Sequence, residues 1–135
     1  MRTWNKNGAA VAVLCGVLWG VLSTSALADI KDYEFQLVQT ETKKGDGAIV
    51  LVRLVNKKSG KPVPDAVIFA KRIDMAPDAM QEMTAPLEQL PSSEPGVYRF
   101  KIDLMMQGRW QLSLGAKVQG EDGTLEAKLV LRALP

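Results

Sequence analysis

Apolar and polar residues alternate in short runs along most of this chain, with the period of two that half-buried strands show. In the clearest run, residues 98–104, four apolar residues alternate with the charged residues Arg99, Lys101 and Asp103. Segments rich in glycine, proline and lysine, such as residues 56–64 and 120–123, separate the runs. Five or six runs of this kind predict an all-β fold, an immunoglobulin-like antiparallel β-sandwich of about six to seven strands.

Strand parity also predicts which side chains face the core. Tyr98 and Trp110 fall on inward positions, where we expect them to anchor the core through their rings. Met106 shares the inward parity of Leu104, whereas Met105 falls in register with the charged residues and should face outward. The sequence therefore predicts one exposed and one buried methionine in this hairpin.

The first 28 residues have the organisation of a Sec signal peptide. A basic segment with Arg2 and Lys6 precedes the apolar stretch of residues 8–22, and the small residues 26–28 form an A-x-A cleavage site. We predict a cleaved leader over 1–28 and a single domain over 29–135, located in the periplasm. Because residues 7–28 are uncharged and long enough to span a bilayer, the alternative is an uncleaved anchor, with the domain on the periplasmic face of the inner membrane.

Charge and composition exclude several functions for the domain. Of the 17 basic residues only Arg2 and Lys6 lie in the leader, so 15 basic residues balance the 15 acidic residues. A neutral domain has no charge pattern for nucleic acid. The chain has no histidine, its one cysteine is Cys15 in the leader, and no phosphate-binding loop or nucleophile motif is present. We therefore expect a monomer that is not an enzyme and does not bind nucleic acid.

Methionine is the residue type that offers chemistry. Met75, Met80 and Met83 lie in the proline-flanked segment 74–86, and Met80 and Met83 would share one side of a short helical turn that begins at Pro77. Thioethers are soft ligands that suit Cu(I), whereas other transition metals recruit imidazole or thiolate. We predict a Cu(I) site formed by these three residues, with Met105 as a possible fourth ligand. The alternative is a structural cap, in which flexible methionines fill irregular gaps at the end of the sandwich.

Residues 66–114 resemble the FixH and YtkA-like group of small exported domains. The matching features are a methionine-bearing loop after a central strand, the motif Pro95-Gly96-x-Tyr98, and Met105 or Met106 before Gly108-x-Trp110. The resemblance implies an immunoglobulin-like sandwich outside the cytoplasm, associated with copper supply to oxidases or with heavy-metal efflux. This chain departs from the pattern in lacking histidine and in replacing the FixH membrane anchor by an apparent leader.

These observations support two hypotheses of function. In the first, the domain carries Cu(I), or Ag(I) by mimicry, and passes it to a membrane partner such as an oxidase assembly factor or a metal efflux system. In the second, it is a metal-free accessory module whose methionines form an adaptable docking surface for such a partner.

Overall fold

The structure, a computed structural model, describes residues 29–135 and contains nine strands. The predicted signal peptide, residues 1–28, lies outside the described residues. The strands are β1 (Tyr33–Leu37), β2 (Glu41–Lys43), β3 (Gly45–Asn56), β4 (Val67–Met75), β5 (Met80–Thr84), β6 (Leu87–Leu90), β7 (Val97–Leu104), β8 (Gly108–Lys117) and β9 (Leu125–Leu134). Two short 3₁₀ turns, Ile30–Asp32 and Ala76–Asp78, precede β1 and follow β4.

The strands form two sheets in the order of an immunoglobulin domain. One sheet has the order β1-β3-β7-β6 and the other β2-β9-β8-β4-β5. When the strands are lettered along the chain, these orders correspond to A-B-E-D and to a G-F-C sheet extended at both edges. All pairs are antiparallel except β2 with β9, which are parallel because the first strand leaves one sheet after Leu37 and joins the other at Glu41.

The predicted sandwich is confirmed, with more strands than the alternation indicated. The additional strands β2, β5 and β6 are three to five residues long and lie at sheet edges. Edge strands pair on one side only and are partly exposed, so they lack the strict alternation that marks β7 and β8. A pattern search therefore misses them.

Side chains from both sheets fill the core, and both aromatic anchors are confirmed. Tyr98 and Trp110 are buried, and the Tyr98 ring meets Phe35 edge-on at a centroid distance of 6.3 Å. The Tyr98 hydroxyl donates to the Val63 carbonyl at 2.6 Å and accepts from the Ala66 N–H at 3.2 Å. These bonds satisfy the one polar atom of a buried ring and fasten the long loop before β4 to the core.

The strands run between two ends of the sandwich that differ in composition. We call the end formed by residues 75–84 and 104–110 the methionine end. Asn56 pairs with Tyr33 at the other end of β3, so the first described residues lie opposite the methionine end. The ten residues of β8 separate the ends by about 30 Å. No helix among residues 29–135 is long and apolar enough to cross a membrane.

Candidate functional site at the methionine end

Met75 is the last residue of β4, and its side chain lies wholly inside the protein. Its exposed fraction is 0 %, and across the sheet it is the direct partner of Met80 on β5. β4 also pairs with β8, and the last pair of this ladder is Asp74 with Gln111. The next residues along the two strands, Met75 and Trp110, are both buried and lie on the same face of the sheet. Directly opposed antiparallel residues have Cβ atoms about 5 Å apart. Two of the predicted ligands, Met75 and Met80, are therefore cross-strand neighbours.

Met80 and Met83 lie on a strand and not on the predicted helical turn. The turn exists, with Pro77 near its start, but it ends after Asp78 because Ala79 adopts a left-handed conformation with φ of 63°. The chain then enters β5. Asp74 on β4 pairs with Thr84, but the next residue, Met75, pairs with Met80, so residues 81–83 have no partner on β4 and form a bulge. Through this bulge Met80 and Met83 are both half-buried against the core, while the two residues between them are exposed.

Met105 and Met106 form the tip of the hairpin between β7 and β8. Met105 is 61 % exposed, as its parity predicts. The prediction that Met106 is a core residue is wrong, since 39 % of it is exposed. β7 ends at Leu104, so the alternation stops before Met106, whose carbonyl instead accepts a hydrogen bond from Trp110 Nε1 at 3.1 Å. This bond holds the hairpin over the indole edge.

Arg109 fastens the 3₁₀ turn to the hairpin. Asp78 accepts hydrogen bonds from the Arg109 backbone N–H and from its Nε, each at 2.8 Å, and Arg109 Nη2 donates to the Pro77 carbonyl at 2.7 Å. The hydrogen bonds from Arg109 to Asp78 lower the pKa of Asp78 below its usual value, and the bond from the backbone N–H contributes more than the bond from the guanidinium. Gly108 makes this packing possible, because a Cβ there would lie 2.6 Å from Met75 Cε and 2.8 Å from Asp78 Oδ2.

Arg72 fastens the bulge of β5 in a similar way. Its Nε donates to Asp74 Oδ2 at 2.8 Å, and its Nη2 donates to the Gln81 carbonyl at 2.9 Å. The other carboxylate oxygen of Asp74 accepts from the Ala76 N–H at 3.0 Å, which satisfies this buried acid. Two arginines, each paired with an aspartate, thus hold residues 75–84, which we call the methionine segment, by donating to the Gln81 and Pro77 carbonyls.

Sequence reasoning missed these positioning residues. None of Arg72, Asp74, Asp78 and Arg109 was predicted to position the methionine segment. The spacing Arg72-x-Asp74 contained a usable signal, since residues two apart on a strand share a face. The Asp78–Arg109 pair joins residues 31 apart and has no local signature.

Of the predicted ligands, the structure brings Met75 and Met80 together, places Met83 in the same bulge, and puts Met105 on the neighbouring hairpin. Within residues 29–135 no group of three or more histidine, cysteine, aspartate or glutamate side chains is placed to hold a metal ion.

A family model described as YtkA-like matches residues 27–115, about two thirds of the chain. The chain belongs to the YtkA-like family. The matched region includes every methionine of the methionine end and stops within β8, so β9 lies outside it. The FixH part of the resemblance is not shown by this match.

Other comparisons say little about this YtkA-like domain. A solved structure titled "ZirS C-terminal Domain" is similar with a TM-score of 0.47 and 14 % identity, over 84 % of this chain and 75 % of that chain. A likeness at this level carries no argument about function. No curated protein matches the chain.

Proposed function

We propose that this YtkA-like domain is an exported, non-enzymatic binding protein of the periplasm that carries Cu(I), or Ag(I), at its methionine end. In this proposal the ion passes to a membrane partner, an oxidase assembly factor or a metal efflux system. The observation that supports the proposal is the cross-strand pair Met75–Met80, which places two thioether side chains next to each other at the methionine end. Membership of a family of small exported domains supports the compartment.

The donor set fits a cuprous cargo. Thioether sulfur is a soft, neutral donor, and Cu(I) prefers such ligands. Met80 lies on an edge strand and is half-buried, so its sulfur is accessible from the rim while its partner Met75 lies behind it. Met83 would supply a third sulfur from the same bulge, and Met105 a fourth from the hairpin. An aromatic ring beside such a site attracts a cation and excludes water.

The binding should depend little on pH. Metal ligands such as cysteine must lose a proton before they bind, whereas methionine does not titrate. The two clamps, Arg72 with Asp74 and Arg109 with Asp78, hold the backbone of the segment in place before any ion arrives. Such preorganisation lowers the ordering cost of binding.

The test is a competition titration of the purified protein with Cu(I) against a chromogenic chelator. We expect uptake by the wild type and a loss of affinity of roughly tenfold or more in the double variant Met80→Leu with Met83→Leu, because leucine keeps the volume and removes the donor. Met106→Leu is the matched control, since Met106 lies at the same end and is no proposed ligand. Met105→Leu tests the fourth position. Equal and negligible uptake by wild type and double variant would refute the carrier function.

A second candidate function is a metal-free docking module for the same class of membrane partner. The exposed pair Met105–Met106 favours it, because flexible apolar side chains at a hairpin tip form an adaptable contact surface. A photo-crosslinking residue at Met105 should capture an oxidase assembly factor or efflux protein from membranes, and the same residue at Lys58, at the opposite end, should not. Crosslinking that is equal from both positions would exclude docking through this hairpin.

A further inference from the structure

The five methionines of the domain differ sharply in exposure. Met105 is 61 % exposed and Met106 39 % exposed, whereas Met75 is 0 % exposed. Met80 and Met83 lie between these limits. We propose that Met105 and Met106 form a surface oxidation site, at which an oxidant of the hypochlorous acid or hydrogen peroxide class converts the thioethers to sulfoxides while Met75 stays reduced.

The reaction is a two-electron oxygen transfer. The thioether sulfur attacks the oxygen of hypochlorous acid, the S–O bond forms and the O–Cl bond breaks. Sulfur is oxidised by two electrons, chlorine is reduced and leaves as chloride, and the proton goes to solvent. With peroxide the O–O bond breaks instead and water is the product. The sulfur must be reached by the oxidant, so exposure controls the rate.

The fold tolerates a sulfoxide at the hairpin tip. β7 ends at Leu104, so neither hairpin thioether is part of the core. The hydrogen bond that holds the hairpin uses the backbone carbonyl of Met106 and not its sulfur. A sulfoxide at either position therefore removes no side chain from the core cluster.

The core would not tolerate the same change at Met75. Its methyl carbon lies 2.6 Å from the position that a Cβ of Gly108 would take, in the tight packing between the hairpin and the 3₁₀ turn. A sulfoxide there would place a polar oxygen in the core without a hydrogen-bond partner, which is strongly unfavourable. Met75 is thus protected by its burial at the end of β4, whereas Met105 is reactive because it lies beyond the end of β7 and is exposed.

Oxidation would change the surface that the hairpin presents. A sulfoxide is polar and chiral, and it replaces both the apolar contact surface and the soft sulfur donor. Oxidation would therefore convert the apolar tip of the hairpin into a polar one without a change of fold. This inference depends on exposure and thioether chemistry alone and stands without the Cu(I) proposal.

The experiment treats the full-length protein with substoichiometric hypochlorite, quenches the reaction at intervals and locates the added oxygen by peptide mass mapping. We expect Met105 to react about tenfold or more faster than Met75, with Met80 and Met83 between them. In guanidinium chloride the five rates should converge to within about twofold, because the protection comes from the fold. The double variant Met105→Leu with Met106→Leu should lose the fast phase.

A second measurement separates a surface switch from damage. Protein oxidised only at the hairpin should keep its unfolding midpoint within a few degrees of the untreated protein, since changes at exposed sites have little effect on stability. Oxidation of Met75 at the rate of Met105 in the folded protein would overturn the proposal. Unfolding that follows oxidation of Met105 and Met106 alone would also overturn it.

Discussion

Gly108 is the position at which a single methyl group should do the most damage at the methionine end. Its φ is +138°, a conformation that side chains with a Cβ rarely adopt. A Cβ at this position would lie 2.6 Å from Met75 Cε and 2.8 Å from Asp78 Oδ2, both closer than van der Waals contact allows. The change Gly108→Ala therefore combines backbone strain with two steric conflicts.

The size of the effect follows from these two contributions. Backbone strain at such a φ costs about 1–3 kcal/mol. Displacing the buried Met75 methyl group and the Asp78 oxygen that accepts from the Arg109 N–H adds about 1–3 kcal/mol of overpacking. We expect Gly108→Ala to lower the free energy of unfolding by roughly 2–6 kcal/mol in total.

Gly45 is the matched control. Its φ is +147° and no atom lies within 4 Å of the position of a Cβ. Gly45→Ala therefore carries the backbone strain without the steric conflicts, and the difference between the two variants isolates the packing contribution. Urea unfolding followed by circular dichroism measures both, provided that the denaturant slopes agree. Equal destabilisation by the two variants would refute the argument that Gly108 is required by packing against Met75 and Asp78.

Three further predictions concern the same packing and its titratable groups. Met75→Ala should lower the free energy of unfolding by about 2–5 kcal/mol, whereas Met105→Ala should stay within about 0.5 kcal/mol of the wild type in the same urea assay. Burial, the main cause, raises the pKa of Tyr98 above 10.0, so this residue contributes stability below pH 10 that is lost as the pH rises through the folded-state pKa. Tyr98→Phe should lower the free energy of unfolding by about 1–3 kcal/mol at neutral pH, since two backbone partners are left unpaired. The variant should also lose less stability than the wild type as the pH rises above 10. An equal loss in both proteins would contradict this prediction. The hydrogen bonds from Arg109 lower the pKa of Asp78 below its ordinary value of 3.8. Ionised Asp78 therefore stabilises the folded state above pH 3.8, and this stabilisation is lost as the pH falls through the folded-state pKa. In Asp78→Asn the unfolding midpoint should fall less steeply than in the wild type as the pH is lowered. An equally steep fall would show that other carboxylates cause the loss of stability in acid.

Much of the sandwich could be predicted from the sequence, because strand parity is a local property. The alternation over residues 98–104 and 110–118 identifies which residues face the core, and Tyr98 and Trp110 are buried as predicted. Met105 is exposed as parity predicts, although β7 ends one residue before it. Parity fails at Met106 because it says nothing about where a strand ends.

The methionine end itself was decided by tertiary structure. The sequence placed Met75, Met80 and Met83 in one segment, but which of them meet depends on the register between β4 and β5, and that register contains a three-residue bulge. The ion pair of Asp78 with Arg109 joins two elements that are adjacent only after the sheets have formed. Composition and periodicity along a chain determine which faces are apolar, whereas the pairing of distant strands determines which side chains become neighbours, since it depends on turns, bulges and packing together.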